Sequence, residues 1–187
     1  VVFKMSSYPS NAELAEMVRL LTKARMEHWL AEGLGTWRWW VPLAMLIVPW
    51  FVWYRYVDKK KLCEILLYGT IIIIGDITLD EIGFELSFWR YPVDVIPLFP
   101  RLTSIDYTAI PVIKMMIYQY SPTWKSFSWA TIAMSTVFSF IAEPLIAKLG
   151  FYQVLKWNYI YSFFIYIVMC LGTRWVVKKI LELSKRG

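Results

Sequence analysis

The sequence predicts an all-α integral membrane protein, with about five transmembrane helices in a compact bundle and an N-terminal amphipathic helix lying at the interface. Three observations predict it. Of 187 residues 58% are hydrophobic, and the mean hydropathy is +0.48, well above that of a soluble domain of average composition. Apolar runs of about 20 residues recur, each long enough to cross a hydrocarbon core of ~30 Å. The 20 Lys and Arg, which leave a net charge of +6, gather at the ends of those runs; that is the pattern of membrane orientation and not of nucleic-acid binding.

Two domains follow, a surface helix over 1–36 and the bundle over 37–187. Pro9 and Ser10 precede Asn11, a suitable N-cap. From there to Gly33, Leu14, Met17, Val18, Leu21, Ala24, Met26 and Leu30 recur at helical spacing between charged residues; so charged a helix lies on a membrane rather than across it. The first span is expected over Trp37–Tyr56, with Trp37, Trp39, Trp40, Trp50 and Trp53 as an interfacial belt. Arg55 and Lys59 to Lys61 mark an inner turn. The second span starts at Leu62 and ends between Glu81 and Trp89, the third covers 102–120, the fourth 124–149 with a stop at Gly150, and the fifth 157–183. With Arg55, Lys59 to Lys61, Lys125, Arg174, Lys178, Lys179, Lys185 and Arg186 on inner segments and Lys4, Arg90 and Arg101 among the outer charges, the short loops and the tail favour an N-terminus outside and a C-terminus inside the cytoplasmic membrane. The opening residues lack a signal-peptide pattern, so the first span is expected to direct insertion. Cys63, Cys170 and His28 form neither a disulfide framework nor a zinc constellation, and no cofactor or metal is expected.

The polar groups inside these runs are the candidates for function. A carboxylate at a helix centre costs roughly 2.5–3.5 kcal/mol on insertion scales, yet 70–94 holds Asp76, Asp80, Glu81 and Glu85. At 100° per residue Asp76 and Asp80 share a face, while Glu81 and Glu85 point elsewhere. Either Gly75 or Gly83 breaks the helix, or the two glutamates have already left the hydrocarbon, which the span length favours. Asp76 and Glu143 both fall roughly 8–9 Å below the outer surface on helices running the same way. These two, with Asp80, are the candidate catalytic acids, and Pro144 is expected to kink the helix and open room beside Glu143. Asp106, Lys114, Asn158, Tyr159 and Tyr161 are candidate ligand-binding groups; Lys114, well inside its span, is also the natural counter-charge to the acids. The competing reading is that each acid only bonds neighbouring hydroxyl and indole groups and fixes helix packing.

The segments Tyr120-Ser121-Pro122, Glu143-Pro144-Leu145, Leu149-Gly150-Phe151-Tyr152 and Trp157 to Ser162 resemble an uncharacterised family of small multi-helix membrane proteins of spore-forming Gram-positive bacteria. The resemblance covers about 60–180 of the chain; it implies a bundle of four to six helices and no activity. A weaker similarity is to integral membrane terpene (isoprenoid) cyclases, which combine intramembrane acids with aromatic walls.

Three functions fit this pattern. The first is a pocket for a small amphiphilic, cationic or isoprenoid-like molecule. The second is a cyclase in which Asp76 or Glu143 donates a proton to start carbocation chemistry, and the third is a proton-coupled carrier. The expected partners are the lipid bilayer and a hydrophobic or amphiphilic small molecule, not nucleic acid; a homo-oligomer is compatible with all three.

Overall fold

A computed structural model describes residues 8–98 and 104–186. The chain is mostly helical. Helix α1 (Asn11–His28) is N-capped by Ser10, one residue earlier than expected. The reason is Glu13: Ser10 Oγ accepts from its N–H at 3.3 Å, and its carboxylate accepts from the Ser10 N–H at 2.7 Å, a reciprocal capping box that Asn11 has no partner to build. The helix runs on through a π-helical turn, Trp29–Gly33. None of its side chains is buried, so its apolar stripe faces away from the rest of the protein. The Trp29 indole N–H, donating to the Asp94 carbonyl at 3.1 Å, and Arg25, over the Phe84 ring, hold it in place.

Helix α2 (Trp37–Tyr56) contains Pro42 and Pro49. Helix α3 (Leu62–Glu85) is continuous; it breaks at neither Gly75 nor Gly83. Gly83 serves close approach instead, because a Cβ there would collide with the Trp89 indole. A π-helical turn, Ile105–Ala109, leads into α4 (Ile110–Tyr120). The expected start of this helix at 102, together with Lys4 and Arg101, lies outside the described residues. Helix α5 (Trp124–Val137), a third π-helical turn (Phe138–Ala142) and α6 (Glu143–Lys148) form one run. It stops at Gly150, whose φ of +78° is the left-handed conformation glycine adopts freely. Helix α7 (Tyr159–Ser184) closes the fold.

The all-α expectation needs one correction. Strands β1 (Trp89–Arg90) and β2 (Gln153–Val154) pair antiparallel, and the N–H groups of Leu155 and Lys156 both donate to the Phe88 carbonyl. The ribbon is short, but it ties the segment after α3 to the segment before α7. No periodicity in either loop announces it, because two residues per strand carry no alternation.

Among the described residues three helical runs are long and apolar enough to cross a membrane: Lys59–Glu85, Trp124–Lys148 and Tyr159–Ser184. They meet over a core of Ile65, Tyr68, Ile72, Met115, Phe127, Met134, Cys170 and Val177. Their other faces expose large apolar side chains such as Ile74, Trp129, Ile141, Phe164 and Val168, the last at 68%. So much outward apolar surface marks a membrane-associated protein. Helix α2 falls outside the three because its tryptophans, tyrosines and prolines lower its apolar character.

Candidate functional site: an acidic, aromatic-walled cavity

A cavity of about 230 Å³ lies where α3, the 105–113 segment, the α5–α6 run and α7 converge. Its walls are largely aliphatic and aromatic, but Asp76, Asp80, Asp106 and Glu143 all line it. Two irregular turns shape it. In each π-helical turn the closing N–H reaches back five residues, from Ile110 to the Ile105 carbonyl and from Glu143 to the Phe138 carbonyl. Each turn ends just before a proline, Pro111 or Pro144, which has no N–H to offer the carbonyl four residues back. The wider turns present Ile105, Asp106 and Ala109 on one wall and Phe138, Ala142 and Glu143 on another. The expected opening beside Glu143 thus exists as a π turn. Pro111 does the same for Asp106, and the Pro in TAIP was the available sequence signal.

The four acids have different partners. Lys114 has no exposed surface, and its Nζ donates to both Asp76 oxygens, at 2.7 and 3.0 Å. The ammonium also lies 5.1 Å from the centre of the Tyr166 ring, a cation–π contact. Glu143 accepts from the Tyr166 hydroxyl at 2.8 Å and from Ser162 Oγ at 3.0 Å; Ser162 in turn accepts from the Trp157 indole at 2.9 Å. Asp76 and Glu143 therefore lie on one cavity, linked through Lys114 and Tyr166 rather than to each other. Asp80 Oδ1 accepts from the Trp89 indole at 3.0 Å and from the Tyr91 hydroxyl. Burial, reinforced by Asp80, pushes the Tyr91 hydroxyl well above its ordinary pKa, so it remains a donor. Asp106 differs from the others: it is 6% exposed, and its Oδ2 has no hydrogen-bond partner among the described residues.

The β1–β2 ribbon explains the aromatic wall. Trp89 on β1 meets Trp157 edge-to-face at 4.9 Å, and Tyr91 stacks on Tyr152 at 5.7 Å. All four rings line the cavity.

The remaining candidates fall elsewhere. Asn158 does not line the cavity; its side chain caps α7, accepting from the Ile160 N–H at 3.1 Å. Tyr159 does not line it either, and Tyr161 is exposed, packing on Trp157. Helix α7 instead turns Ser162, Ile165 and Tyr166 toward the cavity. Lys114 is the counter-charge as expected, in direct contact, but behind the wall and not on it. Glu81 and Glu85 stay off the cavity, as their angular offset required. Trp37, Trp39 and Trp40 also lie away from it; Trp37 and Trp40 are exposed, and the Trp39 indole donates to the Val95 carbonyl. Among the described residues no group of three or more His, Cys, Asp or Glu is placed to hold a metal ion.

At the opposite end of α7 sits a cluster that sequence reading missed. Arg174, assigned there to an inner surface, is 2% exposed. Its guanidinium donates to the Ser121 and Pro122 carbonyls, both at 2.7 Å, and lies 4.4 Å from the Phe127 ring centre. Beside it Glu64 accepts from Lys178 at 2.7 Å and from Tyr118 at 2.5 Å. No protein family, curated protein or solved structure matches the chain.

Proposed function

We propose that the chain is an integral membrane protein whose cavity binds a small amphiphilic or isoprenoid-like molecule. The observation that carries this reading is the placement of four carboxyl groups in an otherwise apolar and aromatic cavity, between the three helical runs apolar enough to span. Two of the lining residues, Leu79 and Ile113, are 40% and 39% exposed, and we take this as the side on which a ligand tail leaves for the bilayer. Size points the same way. Enclosed ligand pockets run to about 300–1,000 Å³, and this one holds the polar end of an amphiphile, not a folded long prenyl chain. In the membrane, the expected first and third spans, α2 and the segment through α4, complete a five-span topology with the N-terminus outside the cytoplasmic membrane and the C-terminus within.

The cyclase alternative changes its leading residue. Asp76 has both oxygens engaged by Lys114, so Glu143, facing the cavity beside Phe138 and Trp157, is the better placed acid of the two.

Lipid extraction from the purified protein tests the binding reading. Mass spectrometry should find an amphiphile enriched over the bulk lipid, and Ala142→Phe, which fills the cavity from its own wall, should lose it while the helices remain. An extract that matches bulk lipid, with no difference between wild type and variant, defeats the proposal.

A further inference from the structure

Among the described residues, Asp106 is the one wall carboxyl for which no donor is found. Asp76 is held by Lys114, Glu143 by Tyr166 and Ser162, and Asp80 by Trp89 and Tyr91. Asp106 is buried as deeply as these, and its Oδ2 meets no partner among the described residues. A buried polar group with an unfilled bond is costly, and an acceptor-only carboxylate is satisfied only by something that brings a donor. It lines the cavity, so a bound molecule is placed to do so.

The charge of the walls selects the kind of donor. Four acids line the space, and among the described residues no Lys, Arg or His does. The nearest base, Lys114, is committed to Asp76. A phosphate or diphosphate head finds no base among the described lining residues. A protonated amine meets Asp106 with N–H donors, and the electron-rich rings of Trp89, Tyr152 and Trp157 line the same space.

We propose that the cavity is a seat for the protonated amine head of an amphiphile, with Asp106 accepting its N–H groups and the ligand's tail leaving past Leu79 and Ile113. This rests on the amphiphile-binding reading above and adds the head-group class to it.

Matched eight-carbon probes test it, titrated into the full chain in uncharged phosphatidylcholine nanodiscs, with empty nanodiscs subtracted for partitioning. Octylammonium should bind saturably and about tenfold or more tighter than octanol, as expected for hydrogen bonds to a charged group; octanoate should bind worst. Asp106→Asn should bring octylammonium down to the affinity of octanol and leave octanol unchanged. Asp106→Ser, a second neutral replacement, gives the same reading if the amide variant does not fold. Octanol or octanoate binding as tightly as octylammonium overturns the amine seat while the amphiphile reading stands. No saturable binding of any probe counts against both, and a tenfold preference that survives both Asp106 variants overturns the role of Asp106.

Discussion

Lys114 and Asp76 are more than two candidate site residues at a convenient depth. Each is the other's solvation, 2.7 Å apart in a site with no water-exposed lysine surface. Removing one end of such a pair strands the other, at a cost of about 3–5 kcal/mol. Asp76→Asn is therefore no mere test of proton donation, because it leaves Lys114 buried and unpaired. Lys114→Met should lower unfolding stability in detergent by about that amount, and adding Asp76→Leu should recover most of the loss. Strictly additive losses would show that the two side chains do not act as a pair. Glu143→Gln is the gentler change. The amide oxygen still accepts from Tyr166 or Ser162, so thermal stability should fall by only about 1 kcal/mol while ligand retention drops; full retention would assign Glu143 to packing.

Prolines and glycines do at the scale of elements what the acids do at the scale of residues. Pro111 and Pro144 each follow a π-helical turn that widens one wall of the cavity. Pro144→Ala restores an N–H that can reach the Phe140 carbonyl and lets the turn tighten to regular α-helix. The variant should be at least as stable as wild type and bind its ligand less well, a combination read from paired melting and binding curves. Unchanged binding would remove the π turn from the account of the site. Gly83 lets Trp89 lie against α3, where it donates to Asp80. Gly83→Ala should push the indole away, break that bond and cost about 1–3 kcal/mol as an overpacked contact. The signature is a change in tryptophan emission that Gly172→Ala, where a Cβ meets nothing within 4 Å, does not produce.

The molecule as a whole presents an apolar outer surface on three long helical runs and carries basic residues such as Lys59 to Lys61, Lys125, Lys148 and Lys185 at or near their ends. If five helices cross, positions 60 and 98 face opposite sides of the membrane. With exposed Cys63 replaced by Ser, Leu98→Cys should react with an impermeant thiol reagent from outside intact cells, and Lys60→Cys only after permeabilisation. The same sidedness for both, or the reverse order, would refute the topology. Much of the organisation was legible before any coordinates. Apolar run length placed the helices, angular offset separated Asp76 and Asp80 from Glu81 and Glu85, and the depth estimate brought Asp76 and Glu143 to one cavity. Asn158, Tyr159 and Tyr161 do not line the cavity because run length places a helix along the chain but does not say which of its faces packing turns inward. Arg174 was misread because its partners are backbone carbonyls of a turn 52 and 53 residues away, which no local pattern reports.

The sequence by itself determined that this is a helical, membrane-associated chain with acids set inside its apolar runs. Hydrophobicity, helical period and proline chemistry are local properties, summed along the chain without knowing what meets what. Only the tertiary structure decided which acid has which partner: that Asp76 is bound to Lys114, Glu143 to Tyr166 and Ser162, and Asp80 to the ribbon's Trp89 and to Tyr91, while Asp106 lines the cavity with its Oδ2 unpartnered among the described residues. Partnership between side chains depends on helix rotation and on a two-residue strand pairing across more than sixty positions of sequence, and those are settled by packing, not by composition.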